Sequence, residues 1–300
     1  MEEVEELIKE GKITEALKLL KGLKDSPEKF YYICLAEFKR GKLREALTNC
    51  EKALKEKQEP RTLVLHAYIL YTLGYEEGIE DYISKSLKEM DKALLQDRRL
   101  EDDVEFLTYK ANALYELGKY GDALNVIDKA ISLSKDMRLH KLRGDILFKM
   151  GKYEEAIGEY QSDLQNDENL YALGFTYYTI GDYGKALEFL DKALEINPEN
   201  PYYYETKSQV LLSMGKTKEA FEEIKKALQI DPDNPYLVST EIEILSSLDK
   251  GNAIKVLSEY LKDLEEFGDV LCEDLEEKRI EQDFKDELLQ LCKTDRSNIR

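Results

Sequence analysis

Tryptophan is absent from this 300-residue chain, and histidine (two), cysteine (four) and proline (six) are scarce. Each shortage excludes something. Few prolines and only 16 glycines argue against a disordered or fibrous class. The four cysteines, Cys34, Cys50, Cys272 and Cys292, are too few and too scattered for a disulfide framework or a zinc motif. Cys34 and Cys50 fall where small or apolar residues recur, so reduced, buried thiols are expected. His66 and His140 lie in different segments, at positions that pack between helices, and do not form a catalytic pair. Positive charge is also short: 44 Lys and Arg against 63 Asp and Glu leave a formal net charge of −19. With no basic cluster to override it, that balance disfavours nucleic acid and acidic membrane surfaces. No apolar run approaches a membrane span, and "MEEVEELIKEG" lacks the basic and apolar regions of a signal peptide, so a cytoplasmic protein is expected. Sustained alternation and Asn-Gly or Asp-Gly hairpin turns are missing, which removes β-structure.

What is present is a helical period. Apolar residues recur every three or four positions, as in Leu187, Leu190 and Leu194, and the chain reads as all-helical. It also repeats itself. "GKLREALTNCEKAL", "GKYGDALNVIDKAI", "GKYEEAIGEY", "GDYGKALEFLDKAL" and "GKTKEAFEEIKKAL" are versions of one phrase. Gly11, Gly41, Gly74, Gly118, Gly151, Gly181 and Gly215 are spaced by 30, 33, 44, 33, 30 and 34 residues. Most are followed five residues later by alanine: Ala16, Ala46, Ala123, Ala156, Ala186 and Ala220. The glycine ends one helix in the left-handed conformation, and the alanine lets the next helix approach closely. Pro198 and Pro232 stop the second helix of their hairpins.

These residues resemble a tetratricopeptide-repeat array, whose unit of about 34 residues is a helix–turn–helix. Residues 167–200 carry Leu173, Gly174, Tyr177, Ala186, Leu190, Ala193 and Pro198; residues 201–234 carry Ser208, Leu211, Ala220, Ile224, Ala227 and Pro232. The resemblance implies an all-α, right-handed solenoid of about eight hairpins over residues 1–268. Its repeats run 1–26, 27–59, 60–103, 104–136, 137–166, 167–200, 201–234 and 235–268. Leu107, His140, Leu170 and Tyr204 stand where the family has tryptophan. Residues 269–293 are expected to form one capping helix, within a C-terminal segment of 269–300 that ends in a short tail. Between Glu265 and Gln290 eleven acidic residues face three basic ones, which suits a solvated outer face. The third rung departs from the pattern. Gly74 to Asp91 spans 17 residues where Gly181 to Asp191 spans 10, and Gly78 sits where alanine is expected. Ile79, Ile83, Leu87, Met90 and Leu94 keep a helical stripe, so a lengthened helix or a break near Ser84–Ser86 is expected there, or else a protruding platform or a bend in the solenoid.

The resemblance further implies a concave groove lined by the first helix of each pair. Carried over position by position, its residues are Tyr31, Leu35 and Phe38; Val64, Tyr68 and Tyr71; Thr108, Asn112 and Tyr115; and Lys141, Asp145 and Phe148. Tyr171, Phe175 and Tyr178 follow, then Tyr202, Glu205 and Gln209. Tyr68 and Tyr171 are expected to be open to solvent. Aromatics dominate, supplying contact area at small entropy cost. Some family members clamp acidic chaperone C-termini with Lys, Asn, Asn, Lys and Arg. Here Thr108 and Leu142 interrupt that set, and an apolar or mixed peptide suits the groove better. The expected function is a non-catalytic adaptor for a protein or peptide segment, with no cofactor, metal, nucleic acid or membrane. Self-association through the ends or the third hairpin, and substrate presentation within an enzyme complex, are the alternatives. The Lys/Glu-rich composition hints at a thermophile.

Overall fold

The computed structural model describes residues 1–263 and 267–298. Among these are eighteen α-helices, one short 3₁₀ helix and no strand. The chain divides into two compact units, Met1–Lys152 and Tyr153–Arg300. The first holds four hairpins: α1 (Glu2–Lys9) with α2 (Ile13–Lys21), α3 (Pro27–Lys39) with α4 (Leu43–Glu56), α5 (Pro60–Glu77) with α6 (Glu80–Gln96), and α7 (Val104–Glu116) with α8 (Tyr120–Leu133). It closes on α9 (Arg138–Lys149). The second unit opens on the short α10 (Tyr153–Tyr160). Three hairpins follow: α11 (Asp167–Thr179) with α12 (Tyr183–Ile196), α13 (Pro201–Ser213) with α14 (Thr217–Ile230), and α15 (Pro235–Leu248) with α16 (Lys250–Asp263). Two final helices are α17 (Gly268–Glu277) and α18 (Gln282–Asn298).

The tight turns have one construction. Gly11, Gly41, Gly78, Gly118, Gly151, Gly181 and Gly215 have positive φ, between 67° and 83°. At each, the following residue's N–H reaches back to a carbonyl of the ending helix: Lys42 to Glu37, Lys119 to Leu114 and Asp182 to Tyr177, all at 2.9 Å. A left-handed glycine is what lets those N–H groups satisfy otherwise orphaned carbonyls. Several first helices start on side-chain caps. Ser26, Asp103 and Asn166 accept from the backbone N–H three residues on, at 2.9–3.1 Å. The expected alanines, from Ala16 to Ala220, are fully buried.

The third rung corrects one expectation. Its turn glycine is Gly78, not Gly74, so α5 runs to 18 residues and α6 to 17. Both helices are lengthened, and α6 is unbroken through Ser84–Ser86. Ile83 occupies the place alanine takes elsewhere, and Gly74 supplies the missing space. A Cβ on Gly74 would lie 2.7 Å from Ile83 Cγ1 and 3.0 Å from the Ile79 carbonyl oxygen. The small and large partners have exchanged helices.

A second correction concerns cysteine. Cys34 and Cys50 form a disulfide across α3 and α4, and Cys272 and Cys292 form another across α17 and α18. Among the described residues no cysteine is free. The physical reason lies in the repeat. Cys34 precedes its turn glycine by seven residues, as Ala111, Gly174 and Ser208 do; Cys50 follows it by nine, as Ile127, Leu190 and Ile224 do. These two positions face each other across a hairpin. A Cβ on Gly174 would stand 2.8 Å from Leu190 Cγ. Two cysteines placed there are held within bonding reach, with Cα atoms 5.3 Å apart.

The C-terminus is the third correction. Residues 269–293 are two helices rather than one, broken at residues 278–281. α17 packs on α15, and Leu271, Leu275, Phe284 and Leu288 join Val238, Ile242 and Leu257 in one core. The acidic stretch begins at Glu265, outside the described residues, as does the end of the tail at 299–300.

Candidate functional site

In the N-terminal unit Tyr31 is half-buried, with the Arg61 guanidinium 4.6 Å above its ring; Glu59 holds that guanidinium at 3.0 Å. Leu35 and Phe38 pack into the neighbouring core, and so does Val64. Tyr68 is not open to solvent. It is only 7% exposed and stacks on Tyr109 with ring centroids 3.9 Å apart. The lengthened α5 presses it against α7, a contact that helical phase alone did not reveal. Tyr71 meets the same Tyr109 edge-on at 5.7 Å. Burial pushes the Tyr68, Tyr71 and Tyr115 hydroxyls well above the usual tyrosine range, so they stay neutral donors.

Four of the expected residues converge. Thr108 and Asn112 from α7, with Lys141 and Asp145 from α9, line one cleft of about 650 Å³ together with Glu105, Tyr109 and Arg138. Lys141 pairs with Asp145 at 3.0 Å, and Asn112 donates to the Thr108 carbonyl at 3.0 Å. Phe148 lies half-buried further along α9.

In the C-terminal unit Tyr171, Phe175 and Tyr178 run along α11. Tyr171 stacks on Tyr203 at 4.9 Å, and its hydroxyl lies 3.2 Å from Thr206 Oγ1. It is half-buried, not open. The Tyr178 hydroxyl lies 3.3 Å from Ser213 Oγ. Phe175 and Tyr202 remain exposed, at 38% and 45%. Gln209 donates to Thr240 at 3.4 Å and to Glu243 at 3.3 Å. Thr240 donates to Glu205 at 3.1 Å, and burial raises the pKa of that glutamate against the opposing pull of Lys278 and Thr240. Lys278 reaches in from the end of α17 to Thr240 at 3.0 Å and Asp274 at 3.1 Å.

Sequence reasoning missed Arg61, Tyr109, Tyr203, Thr240, Glu243 and Lys278. It missed Tyr75 for a definable reason: ending the third rung's first helix at Gly74 put Tyr75 in a turn. Read through to Gly78, Tyr75 is one helical turn beyond Tyr71 on the same face, and the two rings lie 6.2 Å apart. Both histidines sit half-buried among helices, and among the described residues no group of three His, Cys, Asp or Glu could hold a metal ion. Among the described residues no helix is long and apolar enough to cross a membrane.

Paired helices stacked through small residues, turning on left-handed glycines and presenting tyrosine-lined first helices, define an all-α helical-repeat solenoid. Tetratricopeptide-repeat family models match residues 168–200 and 201–234, and the model of anaphase-promoting complex, cyclosome, subunit 3 matches residues 87–162. The chain carries tetratricopeptide repeats at residues 168–200 and 201–234. A TPR repeat-containing protein of Methanocaldococcus jannaschii is 34% identical over 121 residues, 39% of this chain and 20% of that protein. DnaJ homolog subfamily C member 3 of Gallus gallus is 21% identical over 218 residues, 68% of this chain and 43% of that protein. The matches thus span less than half the length of these relatives. A solved tetratricopeptide repeat protein from Parabacteroides merdae has a TM-score of 0.62 at 17% identity, over 89% of this chain and 98% of its own. A chain of an anaphase-promoting-complex hetero-tetramer has a TM-score of 0.60 at 16% identity, over 81% of this chain and 48% of its own. Both show the same fold. Proteins of this family typically mediate protein–protein interaction.

Proposed function

We propose that the chain is a non-catalytic adaptor whose first-helix faces hold an extended segment of a partner protein. The observation that carries this reading is the aromatic row of the C-terminal unit. Tyr171 and Tyr178 are anchored through their hydroxyls to Thr206 and Ser213, while Phe175 and Tyr202 beside them stay exposed. Rigid, tethered aromatics next to open ones give contact area without an ordering cost, the property that makes such residues binding anchors. The cytoplasmic setting carries one condition: structural disulfides persist in the cytosol of hyperthermophiles and are rare in that of mesophiles.

The test is selection of peptides from a displayed random library against the full chain. Affinities of the selected peptides are then measured for Phe175→Ala and Tyr202→Ala. Because both side chains are exposed, folding is retained, and each substitution is expected to weaken binding by about tenfold, or ~1.4 kcal/mol. Peptides that bind both variants as tightly as the parent place the binding surface elsewhere and sink the reading.

A further inference from the structure

The lengthened third hairpin leaves an aromatic feature that the general adaptor reading does not use. Tyr75, on the extra turn of α5, is 61% exposed. It is the most exposed tyrosine among the large exposed side chains of the described residues, and it stands beside others. Tyr71 lies 6.2 Å from it, Tyr115 and Tyr120 form a second pair at 5.8 Å, and a negative charge on Tyr75 would oppose ionisation of both Tyr71 and Tyr115. Glu116, at the end of α7, acts on the same two tyrosines, and partial burial raises its pKa. Among the described residues no lysine or arginine closes an ion pair with Glu116; Lys149 acts on it only from a distance. Two tyrosine pairs and a carboxylate without an ion pair therefore stand on α5, α7 and the start of α8, with Tyr71, Tyr115 and Tyr120 packed on one core.

We propose that this box receives an arginine side chain of the partner segment. The proposal rests on the adaptor reading and names the chemistry of its partner. A guanidinium is attracted to the face of a tyrosine ring, and more strongly when a carboxylate stands behind it. The chain already makes this arrangement once on the same face of the same unit. Arg61 lies 4.6 Å over Tyr31 and 5.9 Å over Tyr32, with Glu59 at 3.0 Å. At Tyr71, Tyr75, Tyr115, Tyr120 and Glu116 the rings and the acid are present and the internal cation is not. The net charge of −19 adds a long-range preference for a basic segment.

The probe is a fluorescein-labelled Gly/Ser peptide with a central Arg-Leu-Arg, compared with the same peptide carrying Gln-Leu-Gln, by fluorescence anisotropy at physiological salt. The arginine peptide is expected to bind the parent about tenfold more tightly. Tyr75→Leu and Glu116→Gln should each remove most of that difference. Glu56→Gln, an exposed acid on α4, should leave it intact. Circular dichroism confirms that each variant is folded. Equal binding of the two peptides overturns the proposal, as does failure of both to bind. Loss of the preference in Glu56→Gln as large as in Glu116→Gln also overturns it, since diffuse charge would then explain the effect. The adaptor reading fails separately, when library-selected peptides ignore Phe175→Ala and Tyr202→Ala.

Discussion

Replacing Cys34 and Cys50 together by alanine should loosen the second hairpin selectively, and the structure sets the size of the effect. The bridge closes a loop of 16 residues. In the chain-entropy treatment, opening a loop of that length costs about 3 kcal/mol. Both sulfurs are fully buried, so their removal also leaves unfilled space worth about 1 kcal/mol. A Cys34→Ala/Cys50→Leu variant should recover part of this, because it restores the small–large pairing seen at Ala111 and Ile127, and each methylene reburied returns ~0.8 kcal/mol. Each repeat contacts mainly its neighbours, so a global midpoint is a blunt instrument. Native-state hydrogen exchange of the α3 and α4 amides reads the local opening directly. A loss of about 4 kcal/mol raises the opening constant roughly a thousandfold there, with much less change in the α13 and α14 amides. Thiol alkylation of the unreduced, denatured chain should give no adducts. Four adducts, or exchange unchanged in the double-alanine variant, would refute the reasoning.

Gly74→Ala should cost about 1–3 kcal/mol in urea unfolding, because the new methyl meets Ile83 and the Ile79 carbonyl. Ala186→Leu, at a fully buried contact between α11 and α12, should cost a similar amount; a variant that melts like the parent would refute the register of that hairpin. Tyr68→Ala should destabilise by about 3 kcal/mol, in contrast to what an open groove residue would do, and the measurement is the melting temperature beside that of Phe175→Ala. His66 has both ring nitrogens buried without a hydrogen-bond partner, and burial lowers its pKa. The folded state therefore binds the proton less well than the unfolded chain. The stability this residue permits is complete above the unfolded pKa of about 6.5 and is lost as pH falls below it toward the folded pKa. His66→Leu should stabilise the chain increasingly between pH 7.5 and 5.5 in urea titrations, and a gain that does not vary with pH contradicts the reading.

The phase of the hairpins was legible because three independent signals agreed: glycine at the turn, alanine five residues on, and a helical apolar stripe. Where two of them disagreed, legibility failed. In the third rung Gly74 and Gly78 competed for the turn, and spacing favoured the wrong one. The deciding fact was tertiary, since Ile83 in the alanine place needs a glycine opposite. The break at residues 278–281 had no local signal at all, "EEKRIEQ" containing neither glycine nor proline. It is fixed by what the link touches: Lys278 on Thr240 and Asp274, the Arg279 N–H on Glu243 Oε1 at 2.9 Å, and Ile280 in the core. On the site face, helical phase placed the expected residues on first helices. It did not say which would be covered by a neighbour, because that depends on how far apart two helices stand.

The positions of the two disulfides follow from the same nearest-neighbour logic. An interior hairpin is held from both sides, and its small–large pair suffices, as Gly174 and Leu190 show. The second hairpin leans on α1 and α2, helices of only eight and nine residues. The one side-chain hydrogen bond between α1 and α3 in the described residues is Tyr32 to Glu5 at 3.0 Å. α17 packs on α15, and α18 on α16 and α17. In the second hairpin the covalent bond thus stands beside a neighbour with short helices, at a pair of positions the repeat already brings together. A disulfide engineered at Ala111 and Ile127, the same pair in an interior hairpin, should therefore form on oxidation yet protect the α7 and α8 amides less than the Cys34–Cys50 bond protects those of α3 and α4. Hydrogen exchange with and without reductant measures both, and equal protection would show that position in the array does not matter.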